Sequence, residues 1–271
     1  MSAPVKLAVL GDPLAFTLSP VLHRAGLEAL GLPGGSEALR VPQSRLGAAL
    51  ARLAADGYRG ANLTHPLKRA ALDQLTVTSD AARRAGSVNT VSFEPGSTRG
   101  DTTDGAGFIA LLEHLGTGTA GARVVLLGAG GAARSLGLAL LETGAARVTV
   151  WARRPGEASA AWDGITGVRV LGWGCEEAGA ALAGADLLVN ATPLTGPDEP
   201  CAIDRIPRGA RVVDLVYGPE VTPWVRAARA AGLQAVDGLG LLVFQARCSL
   251  ALWTGREVPL APLFTAVGWP R

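Results

Sequence analysis

Two stretches of this chain combine residue types and spacings that can do chemistry. The first is Arg123-Val124-Val125-Leu126-Leu127-Gly128-Ala129-Gly130-Gly131-Ala132-Ala133. A short apolar run ends in glycines and passes into an Ala/Leu-rich segment, which reads as strand, tight turn and helix. Gly128, Gly130 and Ala133 are spaced G-x-G-x-x-A. In a dinucleotide-binding turn the first glycine permits the bend, the second lets backbone approach a pyrophosphate, and the third small residue lets helix and strand pack closely. The helix start adds unpaired N–H groups and partial positive charge. A second β-like run, Arg147 to Trp151, follows at βαβ spacing. Its end carries Arg153 and Arg154 where an NAD site places an acid for the ribose 2′-OH. Two guanidiniums suit a 2′-phosphate, which favours NADP(H); the other reading is a solvated arginine pair.

The second stretch is Asn62-Leu63-Thr64-His65-Pro66-Leu67-Lys68. Asn62 and Thr64 alternate and so share one strand face. With Lys68 just into the next element, three polar groups would converge at a strand's end, where open α/β sheets bind ligands. A solvated helix lysine is the alternative. Upstream, Thr17 and Ser19 flank a helix start and could hold a carboxylate; Ser19 alone fits an N-cap, with Pro20 at the first helical position. Asp104 opens another helix, as a cap or as part of a site.

These residues need elements to hold them. Val5–Leu10 reads as a buried strand, residues 21–30 and 44–56 as helices, the stretch from Gly60 as a β-like run that meets Pro66, residues 81–85 as a helix and 86–91 as turn and strand. Gly96-Ser97 reads as a hairpin-like turn. A helix follows from Asp104 to about Leu115. Thereafter strand and helix patterns alternate: 123–127, 131–143, 147–151, 176–183, 186–193, 211–217, 223–231 and a strand through Val236. A long helix then runs to Trp253. Such alternation predicts parallel sheet covered by helices on both faces.

The 271 residues allow one large domain or two ordinary ones, and 48% hydrophobic residues suffice for sizeable cores. Lys+Arg 25 against Asp+Glu 23 gives no polycationic bias, so nucleic acid is not implied. Cys175, Cys201 and Cys248 are scattered, without metal-ligand or disulfide spacing, which fits a reduced cytoplasmic protein and no metal. Neither a signal peptide nor a membrane-spanning run is expected. His23 and His114 read as ordinary helix residues.

The ordered set of motifs resembles the shikimate dehydrogenase family over nearly the whole chain. The matching stretches are Gly60-Ala61-Asn62-Leu63-Thr64-x-Pro66-x-Lys68, Ala85-Gly86-Ser87-Val88-Asn89-Thr90 and Gly100-Asp101-x-Thr103-Asp104-Gly105. They continue with Gly128-Ala129-Gly130-Gly131-Ala132, Asn190-Ala191-Thr192-Pro193-Leu194, Asp214-x-x-Tyr217 and Asp237-Gly238-Leu239-Gly240-x-Leu242-Val243-x-Gln245.

The resemblance implies two α/β domains with a cleft between them. One is a substrate domain over residues 1–103, completed by 239–271; the other is a Rossmann-type NADP domain over 104–238. It implies reversible reduction of 3-dehydroshikimate to shikimate by NADPH, on the route to chorismate and aromatic amino acids, in a monomer or homodimer. By matching position, Lys68 and Asp104 are the catalytic pair. Thr17, Ser19 and Tyr217 would hold the substrate carboxylate, and Thr64, Asn89 and Gln245 its ring hydroxyls. Asp80, Leu215 and Gly238 fall at cofactor-contact positions, beside Gly128, Ala129, Gly130, Gly131 and Ala132, with Arg153 on the 2′-phosphate and Arg154 next to it.

The sequence departs from the family pattern in places. Thr17 replaces a serine, keeping the hydroxyl but narrowing the pocket. His65 stands where an aliphatic residue is usual, either packed in place or tuning Lys68. Ala152 replaces an asparagine on the adenine side. Two other functions fit less well: a quinate/shikimate dehydrogenase with NAD use, and a non-catalytic NADP-binding regulator. Retained Ser19 and the arginines argue against the first, and the intact Lys68/Asp104 pair against the second.

Overall fold

The structure, a computed structural model, describes residues 3–14, 16–197 and 199–271. It divides into two compact units, Met1–Gly107 with Leu242–Arg271, and Phe108–Leu241.

The first unit is built on a six-stranded sheet. Its strands are β1 (Val5–Gly11), β2 (Gly34–Arg40), β3 (Gly60–Leu63), β4 (Val77–Thr78), β5 (Thr90–Glu94) and β6 (Ser97–Asp101), in the order β2-β1-β3-β5-β6-β4. Its helices are α1 (Ser19–Ala29), α2 (Leu46–Ala55), α3 (Leu67–Ala70) and α4 (Asp80–Ala85). The chain leaves this unit within α5 (Asp104–His114). β1 pairs parallel with β2 and β3, whereas β3–β5 and β5–β6 are antiparallel. The hairpin-like turn expected at Gly96-Ser97 thus joins an antiparallel pair, and the parallel pattern expected from the alternation after residue 123 belongs to the second unit. The tight turn at Gly96 (φ +73) returns β6 directly along β5, and a hairpin can only be antiparallel. Alternation along β1 feeds two cores. Ala8 and Leu10 join Leu50, Leu63 and Val91 on one face, while Leu7 joins Leu22, Leu250 and Trp253 on the other.

The second unit holds β7 (Arg123–Leu127), α6 (Gly131–Glu142), β8 (Arg147–Ala152), α7 (Pro155–Ala161), β9 (Val168–Gly172) and α8 (Glu176–Ala183). It continues with β10 (Leu187–Asn190), β11 (Arg211–Asp214), α9 (Pro223–Ala230) and β12 (Gln234–Val236). The sheet order is β12-β11-β10-β7-β8-β9, and every pairing is parallel. From β7 the chain winds outward one way through β8 and β9, then the other way through β10 to β12. This is the doubly wound Rossmann order, whose reversal point at β7/β10 marks a ligand crevice. The chain returns to the first unit within α10 (Gly238–Thr254), and α11 (Leu260–Val267) follows. Among the described residues no helix is long and apolar enough to cross a membrane.

Candidate active site

In the first unit, parallel β1 and β3 end side by side. Thr64 N–H donates to the Leu10 carbonyl at 2.9 Å, and Asp12 N–H to the His65 carbonyl at 3.2 Å. The loops after both strands are thereby tied together. A Cβ on Gly11 would come within 2.4 Å of the Thr64 methyl, so only glycine admits Thr64 there. α3 begins three residues after Thr64 and presents Lys68.

Lys68 Nζ donates to Asp104 Oδ2 at 2.6 Å. The lysine side chain keeps 25% of its surface exposed and the aspartate only 7%, so the amine faces outward and the carboxylate backs it. Asp104 Oδ1 accepts from Asn89 Nδ2 at 2.7 Å. The same amide group donates to Thr103 Oγ1 at 2.9 Å and to Gln245 Oε1 at 3.2 Å. Asn89 Oδ1 in turn accepts from Thr103 N–H at 2.8 Å. Four segments meet here: α3, the turn before β5, the start of α5, and α10. A carboxylate fixed by two donors orients an ammonium that can deliver a proton to an oxygen placed beside it. Asp104 is the first residue of α5.

Asn62 does not join Thr64 and Lys68 in presenting polar groups at the strand end, as alternation suggested. It is 5% exposed, and its Nδ2 donates to the Asn89 carbonyl, Thr90 Oγ1 and Ser249 Oγ at 3.0–3.1 Å. Its Oδ1 faces His23 Nε2 at 2.9 Å. His23, expected as an ordinary helix residue, is fully buried, with Nδ1 2.8 Å from Ser36 Oγ. Because Asn62 Oδ1 can only accept, Nε2 carries the proton and Nδ1 accepts from the serine. Burial holds His23 down to about pKa 4, with its Asn62 bond opposing only in part. No local pattern signals this burial, since the partners of His23 lie on two strands distant along the chain. His65 has an exposed side chain.

Ser19 is the first residue of α1, after an N-cap at Leu18, and its side chain makes no cap bond. The expected capping role is thus corrected. Pro20 favours the first turn, and helical geometry extends back through Ser19. Ser19 is 5% exposed, and its N–H donates to Thr17 Oγ1 at 3.2 Å. Thr17 and Ser19 belong to the first unit and Tyr217 to the second. Asp80 opens α4 in the first unit, exposed and ion-paired with Arg83.

The second unit carries the glycine turn. Gly128 has φ +104, and a Cβ there would meet Thr192 Cγ2 at 2.9 Å and the Ala191 carbonyl oxygen at 3.0 Å. The loops after β7 and β10 thus abut at the sheet's reversal point. Ala133 is fully buried against the sheet, as the third position of the motif requires. At Gly130 a Cβ would meet nothing within 4 Å. Gly130 and Gly131 are exposed, and no side chain caps α6. The backbone beside Ala129 and Ala132 is therefore bare, an open cradle at a helix N-terminus that fits a pyrophosphate.

Gly128 N–H donates to the Trp151 carbonyl at 2.9 Å, which ties this turn to the end of β8. Arg153 follows two residues later, exposed and without an ion pair among the described residues. Arg154 is committed to Glu157 at 3.0 Å, so the two arginines are not equivalent. Further along the sheet, Asp214 is completely buried. It accepts from Asn190 Nδ2 at 2.8 Å, Val216 N–H at 3.0 Å and Thr222 Oγ1 at 2.7 Å. Burial raises its pKa against these three bonds. The Asn190 side chain also binds Thr192 and the Leu194 carbonyl. Together these two residues shape the loops after β10 and β11, and β11 stops at Asp214 instead of running to Tyr217. A Cβ on Gly238 would lie 2.1 Å from the Leu215 carbonyl oxygen, so glycine is required behind that loop.

Residues 9–91 match the family model described as the shikimate dehydrogenase substrate binding domain. The chain is 42% identical over 259 residues to shikimate dehydrogenase (NADP(+)) of Acidiphilium cryptum, covering 94% of this chain and 92% of that protein. It superposes with a TM-score of 0.88 at 37% identity on shikimate 5-dehydrogenase from Thermus thermophilus in complex with NADP(H) and shikimate, covering 97% and 98% of the two chains. The ligand-free 5-ketofructose reductase of Gluconobacter sp. strain CHM43 is similar with a TM-score of 0.84 at 30% identity, covering 98% of each chain.

Proposed function

This chain belongs to the shikimate dehydrogenase family, and from that premise we propose how its residues carry out the reversible, NADPH-dependent reduction of 3-dehydroshikimate to shikimate. The observation that carries the reading is the Lys68–Asp104 contact of 2.6 Å, buttressed by Asn89. When bound, NADPH supplies hydride to the C3 carbonyl carbon. Lys68 stabilises the alkoxide that develops on the oxygen and gives it a proton. Asp104 holds the amine in place, and Asn89 and Gln245 hold ring hydroxyls at the same locus. Thr64 adds a further hydroxyl contact, and Thr17, Ser19 and Tyr217 take the substrate carboxylate.

For the cofactor, Gly128 to Ala132 and the bare start of α6 cradle the pyrophosphate, and Arg153 grips the 2′-phosphate. Arg154 contributes less, being exposed and paired with Glu157. Leu215, Gly238 and Asp80 complete the contacts. The first unit, residues 1–107 with 242–271, serves as the substrate part and 108–241 as the cofactor part, so the expected boundaries at 103 and 238 shift by four and three residues and Asp104 falls on the substrate side. We place the enzyme in the cytoplasm, as a monomer or homodimer, supported by three free thiols that suit a reducing compartment.

Steady-state kinetics with shikimate and quinate, each with NADP+ and NAD+, test this reading. The highest kcat/KM is expected for shikimate with NADP+. Faster turnover of quinate with NAD+, or no shikimate-dependent NADPH formation at alkaline pH, would overturn it. Arg153→Ala should raise KM for NADP+ by about 10- to 100-fold, the worth of one or two charge-assisted hydrogen bonds, and leave NAD+ nearly unchanged. Equal losses for both cofactors would remove Arg153 from the phosphate.

A further inference from the structure

The glycine turn lies where the strands of the second unit end. Where they begin, the same sheet has a separate cavity of ≈ 490 Å³. Three of its lining residues are arginines on adjacent strands: Arg123 opens β7, Arg147 opens β8, and Arg169 lies on β9. Register places Arg123 beside Arg147, and Thr149 beside Arg169. Because residues two apart share a strand face, all four side chains belong to one face of the sheet. Ala180 and Gly184 of the α8 segment form part of the opposite wall and leave the space open.

The charges in this cavity are not balanced. Arg123 is neutralised by Asp186, with contacts of 2.9 and 3.0 Å. Glu177 faces Arg169, whose charge helps hold that carboxyl below its usual range, after bonds from its own backbone and from Cys175. Arg147 makes no ion pair or hydrogen bond through its side chain among the described residues. Thr149 supplies an independent sign. It is 4% exposed, lines the cavity, and its hydroxyl has no protein partner among the described residues. The hydroxyl is open to the space of the cavity and available to a bound group.

We propose that this cavity is a second anion site, taking the phosphate group of a small phosphorylated metabolite between Arg147 and Arg169 with the Thr149 hydroxyl on its floor. Planar guanidiniums suit phosphate oxygens, and the volume falls within the range of small-molecule pockets. The site rests on the second unit's own geometry and not on the reading of the reaction.

The test is titration of NADP+-saturated protein with inorganic phosphate, followed calorimetrically, so that the glycine turn is already filled. Wild-type protein should show one saturable site. Arg147→Gln/Arg169→Gln should weaken it by about 10-fold or more, because two charge-assisted contacts are lost. Arg208→Gln, at an exposed arginine outside both this cavity and the cofactor residues, should leave it unchanged. Absence of saturable binding in the wild type, or equal affinity in the double variant, would overturn the proposal and leave the arginines as counter-charges to the C-terminus of α8.

Discussion

Lys68→Ala should lower kcat by about 10²- to 10⁴-fold with a modest change in KM. The lysine side chain combines partial exposure, at 25%, with a fixed direction, set by Asp104 at 2.6 Å. Its charge matters most when negative charge develops on the substrate oxygen, so its loss falls on the transition state more than on ground-state binding. Asp104→Asn loses the charge and one of two acceptors, since its amide oxygen can accept from Lys68 or from Asn89 but not from both; it should still lower kcat less than Lys68→Ala, because the amine itself remains. Steady-state kinetics on circular-dichroism-checked variants measure both. A large rise in KM with kcat intact would make Lys68 a substrate binder only.

Acidification should destabilise the first unit through His23. The folded-state pKa of about 4 lies below the ordinary value of 6.5. Above pH 6.5 the ring is neutral in both folded and unfolded chains, and the stability it permits is fully present. As pH falls from 6.5 to 4 the unfolded chain takes up a proton that the folded one refuses. Stability then falls by about 1.4 kcal/mol per pH unit, about 3 kcal/mol in all. Below pH 4 this loss levels off. Urea midpoints measured from pH 7 to 4 should show the decline, and His23→Gln should flatten it whatever its stability at pH 7. Equal slopes in both proteins would show that His23 is not the titrating group.

Much of the second unit is readable from sequence because its strands are buried on both faces. β7 and β10 appear as short apolar runs and β8 as a β-branched run broken only by Thr149, and the glycines between β7 and α6 punctuate them without ambiguity. Edge strands carry no such signal. β2, Gly-Gly-Ser-Glu-Ala-Leu-Arg, is half exposed along its length and looks like a loop until β1 pairs with it in register. In the first sheet the hairpin-like turn at Gly96 made the antiparallel β5–β6 pair legible, whereas the antiparallel pairing of β3 with β5 joins strands distant along the chain and needed the structure. Lys68 and Asp104 are separated by 36 residues, and spacing alone cannot bring them together; the ordered motifs pointed to the pair, and β3 and β6 position it. Asn62 is the instructive miss. Alternation placed it correctly on a face of β3, but a period of two cannot tell a face that opens to ligand from one that closes on His23 and Ser249.

The most direct measurement is a crystal structure of the protein with shikimate and NADP+ bound. The C3 oxygen is expected within about 2.6–3.2 Å of Lys68 Nζ, with the C3 carbon facing the nicotinamide. A C3 oxygen out of hydrogen-bond reach of both Lys68 and Asp104, in a complex whose ring is otherwise set for hydride transfer, would contradict the role given to this pair.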